Sequence, residues 1–581
     1  MFKILILFLL KQYQIFPSKE KTYTVPPIEV SAKYPESFLI SKGTSYLVDS
    51  SLIETFKFDP SLLNLSFSPS LILNSYGYPG YLQTGFIRGF SSTRTGIYLE
   101  GFKLNSRTSG SFNLSHLSGF SVSGIEVLSS SGSSIYGENA LSGALNFKLL
   151  RKSGFNFKGG AGNLNTTLFS GSAGLPYTNF YFADYTSIPP EKNRDSHFSR
   201  FLNIFENENV KSLFLYSRNS IGNFFSETGR ENDEFILTGF KYLSRYFDFG
   251  YQFKKDGVEI KDIFYSSKDY SISNRIFGDL FLNTEYLKFR TGFEYEKEYL
   301  KGTTFENTSP KDERLYPYLT LDLIIQGLIP YFECGKELKG SFNTESPFVY
   351  RGGIILFKEL GSIYFNYSKG FRAPTLLDLY WPYDGFSKGN PDLKPETSKE
   401  IEGGIKVIED KSLLLISYFK RELENGITWS LDENFVYTPQ NIEKIKLQGF
   451  EGLIKIEKVP FIFSLNFIFY KERKNIENDS EKTLLLIPTY NSGFLIGYKE
   501  RNFSLSYRLR LIGPHYSIDL SDYQVKNVQH AIFQDLSFTL KLSKFINMSL
   551  VSTNIDNKPF EFQIGFPLER RRIYVFAESN F

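Results

Sequence analysis

Only one cysteine, Cys334, occurs in 581 residues, which excludes an intramolecular disulfide and any cluster of thiolate ligands. Four scattered histidines, with no HExxH or CxxC spacing, leave no pattern for a zinc site. Nowhere does an apolar run reach the length of about 18 residues that a transmembrane helix requires, so a helical membrane protein is excluded. Basic residues number 66 and acidic residues 63, giving a net charge of +3. That balance carries no basic footprint, and no nucleic-acid partner is expected. Tryptophan is also scarce, with two copies.

Other aromatics are abundant: 59 Phe and 38 Tyr bring the aromatic share to 17%, while the mean hydropathy is only −0.23. Strands that show lipid on one face and water on the other have this composition. The period-two pattern is explicit in several segments. In 503–511, Phe503, Leu505, Tyr507, Leu509 and Leu511 alternate with Ser504, Ser506, Arg508 and Arg510. In 533–542, Leu536, Phe538, Leu540 and Leu542 alternate with Asp535, Ser537, Thr539 and Lys541. The segment 287–295 carries Lys288, Arg290 and Glu294 on its second face. Charged residues are expelled from lipid, so that face belongs to a solvated interior; a soluble sandwich with one wet face has the same local pattern.

Taken in order, the chain opens with MFKILILFLL, one lysine and a short apolar core, expected as a signal peptide over 1–18. Residues 19–33 follow, with the Pro-interrupted, extended TYTVPPIEVSAK at 22–33. Segment 34–84 begins the next domain, and the Ser/Leu alternation around Ser61 to Leu73 is read as short helices or turns. Residues 85–147 then break into short strands at Gly85 to Arg88, Gly96 to Leu99, Gly124 to Leu128 and Ala144 to Lys148, divided by Gly and Ser turns.

The succession Ile87-Arg88-Gly89-Phe90, Tyr98-Leu99-Glu100-Gly101, Ile125-Glu126-Val127, Tyr136-Gly137 and Ala140 to Asn146 resembles the plug domain of TonB-dependent outer-membrane receptors. The resemblance implies an all-β transmembrane fold: a large antiparallel outer-membrane β-barrel of about 22 strands, with an N-terminal α+β plug in its lumen. Plug and barrel are expected at 34–150 and 151–581; roughly 430 barrel residues give about 20 per strand, where a membrane strand needs about 10. Two departures from the family pattern stand out. Gly124 occupies the place of an arginine before Ile-Glu-Val, and Ser129-Ser130-Ser131 replaces Arg-Gly-Pro.

By the same resemblance, 22–33 contains a TonB box, with Ile28, Glu29, Val30, Ser31 and Ala32 expected to add as a strand to a TonB-type periplasmic transducer. Arg88 remains as a latch between plug and barrel carboxylates. His116, Trp381 and Tyr383 are candidate substrate contacts. Two boxes, Phe371-Arg372-Ala373-Pro374 and Asn390 to Glu396, are similar to paired boxes of many such receptors, and Pro374, Pro391 and Pro395 suit an external loop. No histidine lies between them, which lowers haem as a ligand. The C-terminal aromatic strand, with Ile573, Val575, Ala577 and Phe581 on one face, resembles the assembly signal of outer-membrane barrels.

Spacing and modest length most resemble the cobalamin-receptor-like subgroup, so cobalamin or a related corrinoid leads as substrate and a ferric siderophore is the alternative. The stretch corresponding to that subgroup's calcium loops offers only Asp184, Glu191 and Asp195, and no metal is expected. No catalytic group or cofactor is expected either. A monomer embedded in outer-membrane lipid, binding a small molecule and a TonB-type partner, is the resulting expectation. A passive porin or adhesin barrel is the rival of another class, and a barrel enzyme is disfavoured because no nucleophile pattern is present.

Overall fold

The computed structural model describes residues 42–48 and 68–581, apart from 118, 120, 152, 190–192, 224, 225, 227, 264, 341–344, 359, 360, 410, 411, 478, 479, 520, 521, 523 and 567–569. The expected signal peptide and TonB box therefore lie outside the described residues.

From Gly154 to Asn580 the chain forms a closed antiparallel barrel of 22 staves, with the short strand Ser480–Lys482 as an extra piece beside the stave Phe461–Glu477. Closure pairs the last stave, Arg572–Asn580, with the first, Gly154–Gly162, in a register running from Tyr574 opposite Gly162 to Asn580 opposite Asn156. Phe581 extends that seam by exchanging backbone hydrogen bonds with Phe155, at 2.8 and 3.0 Å. No sheet edge is left open along this seam, as a lipid-embedded sheet demands.

Alternation sets which face is which. In Phe503–Ile512 the side chains of Phe503 and Leu505 are exposed outward, whereas Arg508 is buried in the lumen. Its register partner is Asp535 of Ala531–Lys541, and Arg508 Nε donates to Asp535 Oδ2 at 2.7 Å. Leu287–Gly302 likewise turns Arg290, Glu294, Glu296 and Glu298 inward. The sheet is thus inverted relative to a soluble sandwich, apolar outside and charged within.

At one rim the staves are joined by turns of two to four residues; at the other, connections lengthen to the segments 373–395, 513–530 and 554–571. Short turns mark the periplasmic rim and long loops the external one. Pro374, Pro391 and Pro395 fall in the external segment 373–395.

The plug fills the lumen. Its sheet has the order Ser45–Val48, Val122–Leu128, Gly143–Leu149, Thr95–Leu99, Phe102–Lys103, with Thr95–Leu99 parallel to Gly143–Leu149. A separate hairpin pairs Leu71–Ser75 with Gln83–Ile87. Each strand read from the sequence is present, shifted by one or two residues. Residues 71–73, read as helix or turn, are instead strand, because pairing with Gln83–Ile87 supplies a partner that no local pattern announces. Ile97, Leu99, Ile125, Val127, Leu145 and Phe147 form the plug core, which continues into wall residues such as Leu202, Leu215 and Phe235.

Candidate functional site: the seam between plug and barrel

Arg88 lies at a backbone turn that only tight packing holds. Its φ is +48° and that of Gly89 is +78°; the left-handed region costs a side chain such as arginine about 1–2 kcal/mol. A β-carbon on Gly89 would come within 2.9 Å of Ile487 Cδ1. The turn directs the guanidinium away from the plug sheet into the wall. There Nη1 meets Glu400 and, at 2.7 Å, Glu402, while Nη2 and Nε grip Glu451 at 2.9 and 3.2 Å. The face of Phe419 lies 4.5 Å from Cζ. Burial alone would lower the Arg88 pKa, but Glu451, Glu402 and Glu400 hold it well above its usual value. A charge so enclosed is stable only while its partners stay in place.

Four more plug cations share this arrangement. Arg94 is bidentate to Glu396, Nε at 2.9 Å and Nη2 at 2.7 Å, and reaches Glu443 at 3.0 Å. Arg372 of the first box donates to the same Glu396 at 2.7 Å. Lys103 contacts Glu296 at 3.2 Å and Glu138 at 3.4 Å; burial foremost, together with Arg314, brings its ammonium down to about 8. Arg107 pairs with Asp312 and with Glu138. Lys42 reaches Glu333 at 3.1 Å, and the neighbouring Thr44 Oγ1 donates to Glu402 at 2.8 Å. Apart from Glu138 of the plug, all these carboxylates belong to staves between Leu287–Gly302 and Tyr437–Lys458.

The two departures from the family pattern have local explanations. At Gly124 a β-carbon would come within 3.3 Å of the Val48 carbonyl, next to an irregular step in the plug ladder. At the serine triplet the cations come from the wall. Arg421 Nη2 donates to the carbonyls of Ser129 and Ser142 at 2.9 and 3.0 Å, and Arg351 Nη1 donates to Ser130 Oγ at 3.4 Å. The Ser131 N–H donates to Glu400 at 3.3 Å.

On the external side, segment 373–395 lies over the plug apex. The Leu376 N–H donates to the Arg107 carbonyl at 3.0 Å and the Leu377 N–H to that of Thr108 at 3.2 Å. A short helix, Leu376–Tyr380, starts from a Thr375/Asp378 capping box. Trp381 packs edge-on to Phe305 at 5.9 Å and donates through Nε1 to Asp384 at 3.1 Å; Tyr383 is 62% exposed. His116 is elsewhere. It is only 2% exposed, its Nδ1 lies 2.7 Å from Ser217 Oγ, and its ring stacks on Phe235 at 5.4 Å. Burial first, then Arg200, keeps its pKa well below the usual histidine value. The three residues singled out as substrate contacts therefore occupy two separate places. In the stretch corresponding to the calcium loops, Asp195 is engaged by Arg230 at 2.6 Å, and Asp184, on the stave Thr178–Ser187, by His197 at 3.0 Å; Glu191 is outside the described residues.

Residues 41–557 match the family described as "TonB dependent receptor-like, beta-barrel". The chain belongs to this family. It is 24% identical over 557 residues to the Vitamin B12 transporter BtuB of Vibrio vulnificus, covering 88% of this chain and 87% of that relative. Among solved structures it is similar to the siderophore receptor PirA of Acinetobacter baumannii, with a TM-score of 0.75, 13% identity, and coverage of 95% of this chain and 100% of that one. The ferric enterobactin receptor PfeA of Pseudomonas aeruginosa gives a TM-score of 0.72 at 15% identity, over 92% of this chain and 99% of its own. At such identities these structures establish the fold alone. The protein is an outer-membrane receptor of the TonB-dependent kind, and its family and fold are those of receptors and transporters rather than enzymes.

Proposed function

We propose that this receptor imports cobalamin or a related corrinoid into the periplasm, with energy delivered by a TonB-type transducer. The supporting observation is similarity along almost the whole chain to a protein named for vitamin B12 transport. Apex electrostatics agree with it: Arg94, Arg107, Arg372 and Arg230 are each engaged by a carboxylate. An apex whose guanidinium groups are already neutralised favours a bulky ligand of low net charge over an anionic ferric chelate. Trp381 and the exposed Tyr383 and Phe386 supply flat surfaces at the external rim.

In this reading the ligand settles on the apex beneath segment 373–395, with Trp381 and Tyr383 as contacts. Ile28 to Ala32 pairs as a strand with the transducer. Tension on that segment enters the described fold at Lys42, whose ammonium holds Glu333, and is resisted by the Arg88 latch. His116 contacts the ligand on its way inward.

Equilibrium binding to the purified receptor, cyanocobalamin against ferric enterobactin, tests the substrate. Uptake of radiolabelled cyanocobalamin by cells with and without the transducer tests the transport. The reading expects binding of cyanocobalamin, and uptake that is lost on deleting Thr24 to Ala32 while binding persists. Binding of the ferric chelate alone would make the protein a siderophore receptor, and uptake surviving the deletion would make it a passive pore.

A further inference from the structure

One gap in the seam lies away from the plug–wall ion pairs of Arg88 and Arg94. A space of about 30 Å³ separates His116 and Leu117 of the plug from Ser170, Ser172, Ala183 and Arg200 of the wall. The staves concerned are the first four, Gly154–Gly162 to Ser196–Glu206. Arg200 is buried at its edge, and its Nε has no hydrogen-bond partner among the described residues. A buried guanidinium N–H without a protein partner is a donor prepared for a passing acceptor or for water.

Below the gap, at the periplasmic rim, the seam is shut by one cluster. Glu100, at the left-handed tip of a plug hairpin, takes Lys211 at 2.9 Å and Arg151 at 3.2 Å, and Glu206 bridges the same two cations at 2.8 Å each. Arg151 and Glu206 are partly open to solvent, so water can replace these contacts when they part. Parting the seam at Arg88 or Arg94 would instead strand buried charges. Elsewhere on the seam, Phe562 of the external segment 554–571 packs against Ile72 and Phe86 of the plug.

We propose that the gap between His116 and the first four staves is the route by which substrate passes the plug, with the Glu100 cluster as its lower gate. This rests on the import reading above. The gap is smaller than a corrinoid, so plug and wall must separate there during transit, and Arg200 and His116 line the widened passage.

The test uses Ser172→Cys in full-length receptor carrying Cys334→Ser, with Ser537→Cys on Ala531–Lys541, four staves away, as comparison. Cells are exposed to a biotin maleimide small enough to enter the periplasm, with and without the transducer. Ser172→Cys should label several-fold faster when the transducer is present, and Ser537→Cys should label at the same rate in both. Once labelled, the Ser172→Cys receptor should still bind radiolabelled cyanocobalamin but fail to import it, while the unlabelled variant imports normally. Equal labelling of Ser172→Cys with and without the transducer, or normal import after labelling, overturns the proposed route. If the unmodified receptor imports no cyanocobalamin, the substrate reading fails on its own, and the labelling rates still decide the route.

Discussion

Two sectors of the same seam are built from opposite materials. Between Leu287–Gly302 and Tyr437–Lys458, the plug meets the wall through Lys42, Arg88, Arg94, Lys103 and Arg107, each set against carboxylates. Between Gly154 and Glu206 it meets serines, apolar side chains such as Leu202, the buried Arg200 and a small gap, and among the described residues ion pairs cross the seam there only at the periplasmic floor. Buried ion pairs contribute little net stability when formed but resist the removal of one partner, because the other charge is left without water. The first sector therefore fixes where the plug sits, and the second is where it can yield.

Breaking the fixed sector should give the largest effect. Arg88→Ala leaves Glu400, Glu402 and Glu451 facing one another, and the loss of plug docking should be about 3–5 kcal/mol. It is measured as the urea concentration at which the plug becomes susceptible to protease while the barrel remains folded. Arg88→Lys should recover only part of the loss, since an ammonium cannot grip Glu451 with two parallel hydrogen bonds.

A smaller effect is expected at the floor of the yielding sector. Glu100→Gln removes the charge that Lys211 and Arg151 share, at a cost of about 1.5–3 kcal/mol. Burial would push the Glu100 carboxyl up, but Lys211, Arg151 and Lys148 hold it below the usual carboxylate range. Its contribution is therefore complete above pH of about 4.3 and disappears as pH falls further. Plug stability followed from pH 7 into the acid range should lose part of that acid limb in Glu100→Gln.

The smallest effect belongs to His116. Its folded pKa is lowered, so the unfolded plug takes up the extra proton as pH falls through about 6.5, and stability is lost on the acid side. The expected loss is roughly 1 kcal/mol at pH 6, and His116→Gln should abolish this slope.

The sequence made the plug strands legible because glycine and serine turns punctuate them, and the alternation at 503–511 because charge on one strand face has nowhere to go but the lumen. Arg88 could be singled out as the remaining latch, yet its partners could not. Glu400, Glu402 and Glu451 lie more than 300 residues away, and no local pattern joins them to Arg88. For the same reason Arg94, Lys103 and Arg107 passed unnoticed, as did the wall guanidinium groups of Arg351 and Arg421 that serve the serine triplet. The position of His116 follows from which staves the plug happens to face, a property of docking rather than of the segment around it. A signal was present in Glu396, Glu400 and Glu402, three glutamates that share one lumen-facing strand face with Ser398. Such a row needs cations opposite.

Residue-resolved amide hydrogen exchange of the purified receptor, in rising urea at neutral pH, tests the division of the seam most directly. Plug amides at 114–117 and 148–150, beside the yielding staves, should exchange at lower urea than those at 44–46 and 86–95, beside the pinned ones. Simultaneous exchange of both groups, or the reverse order, would contradict the account.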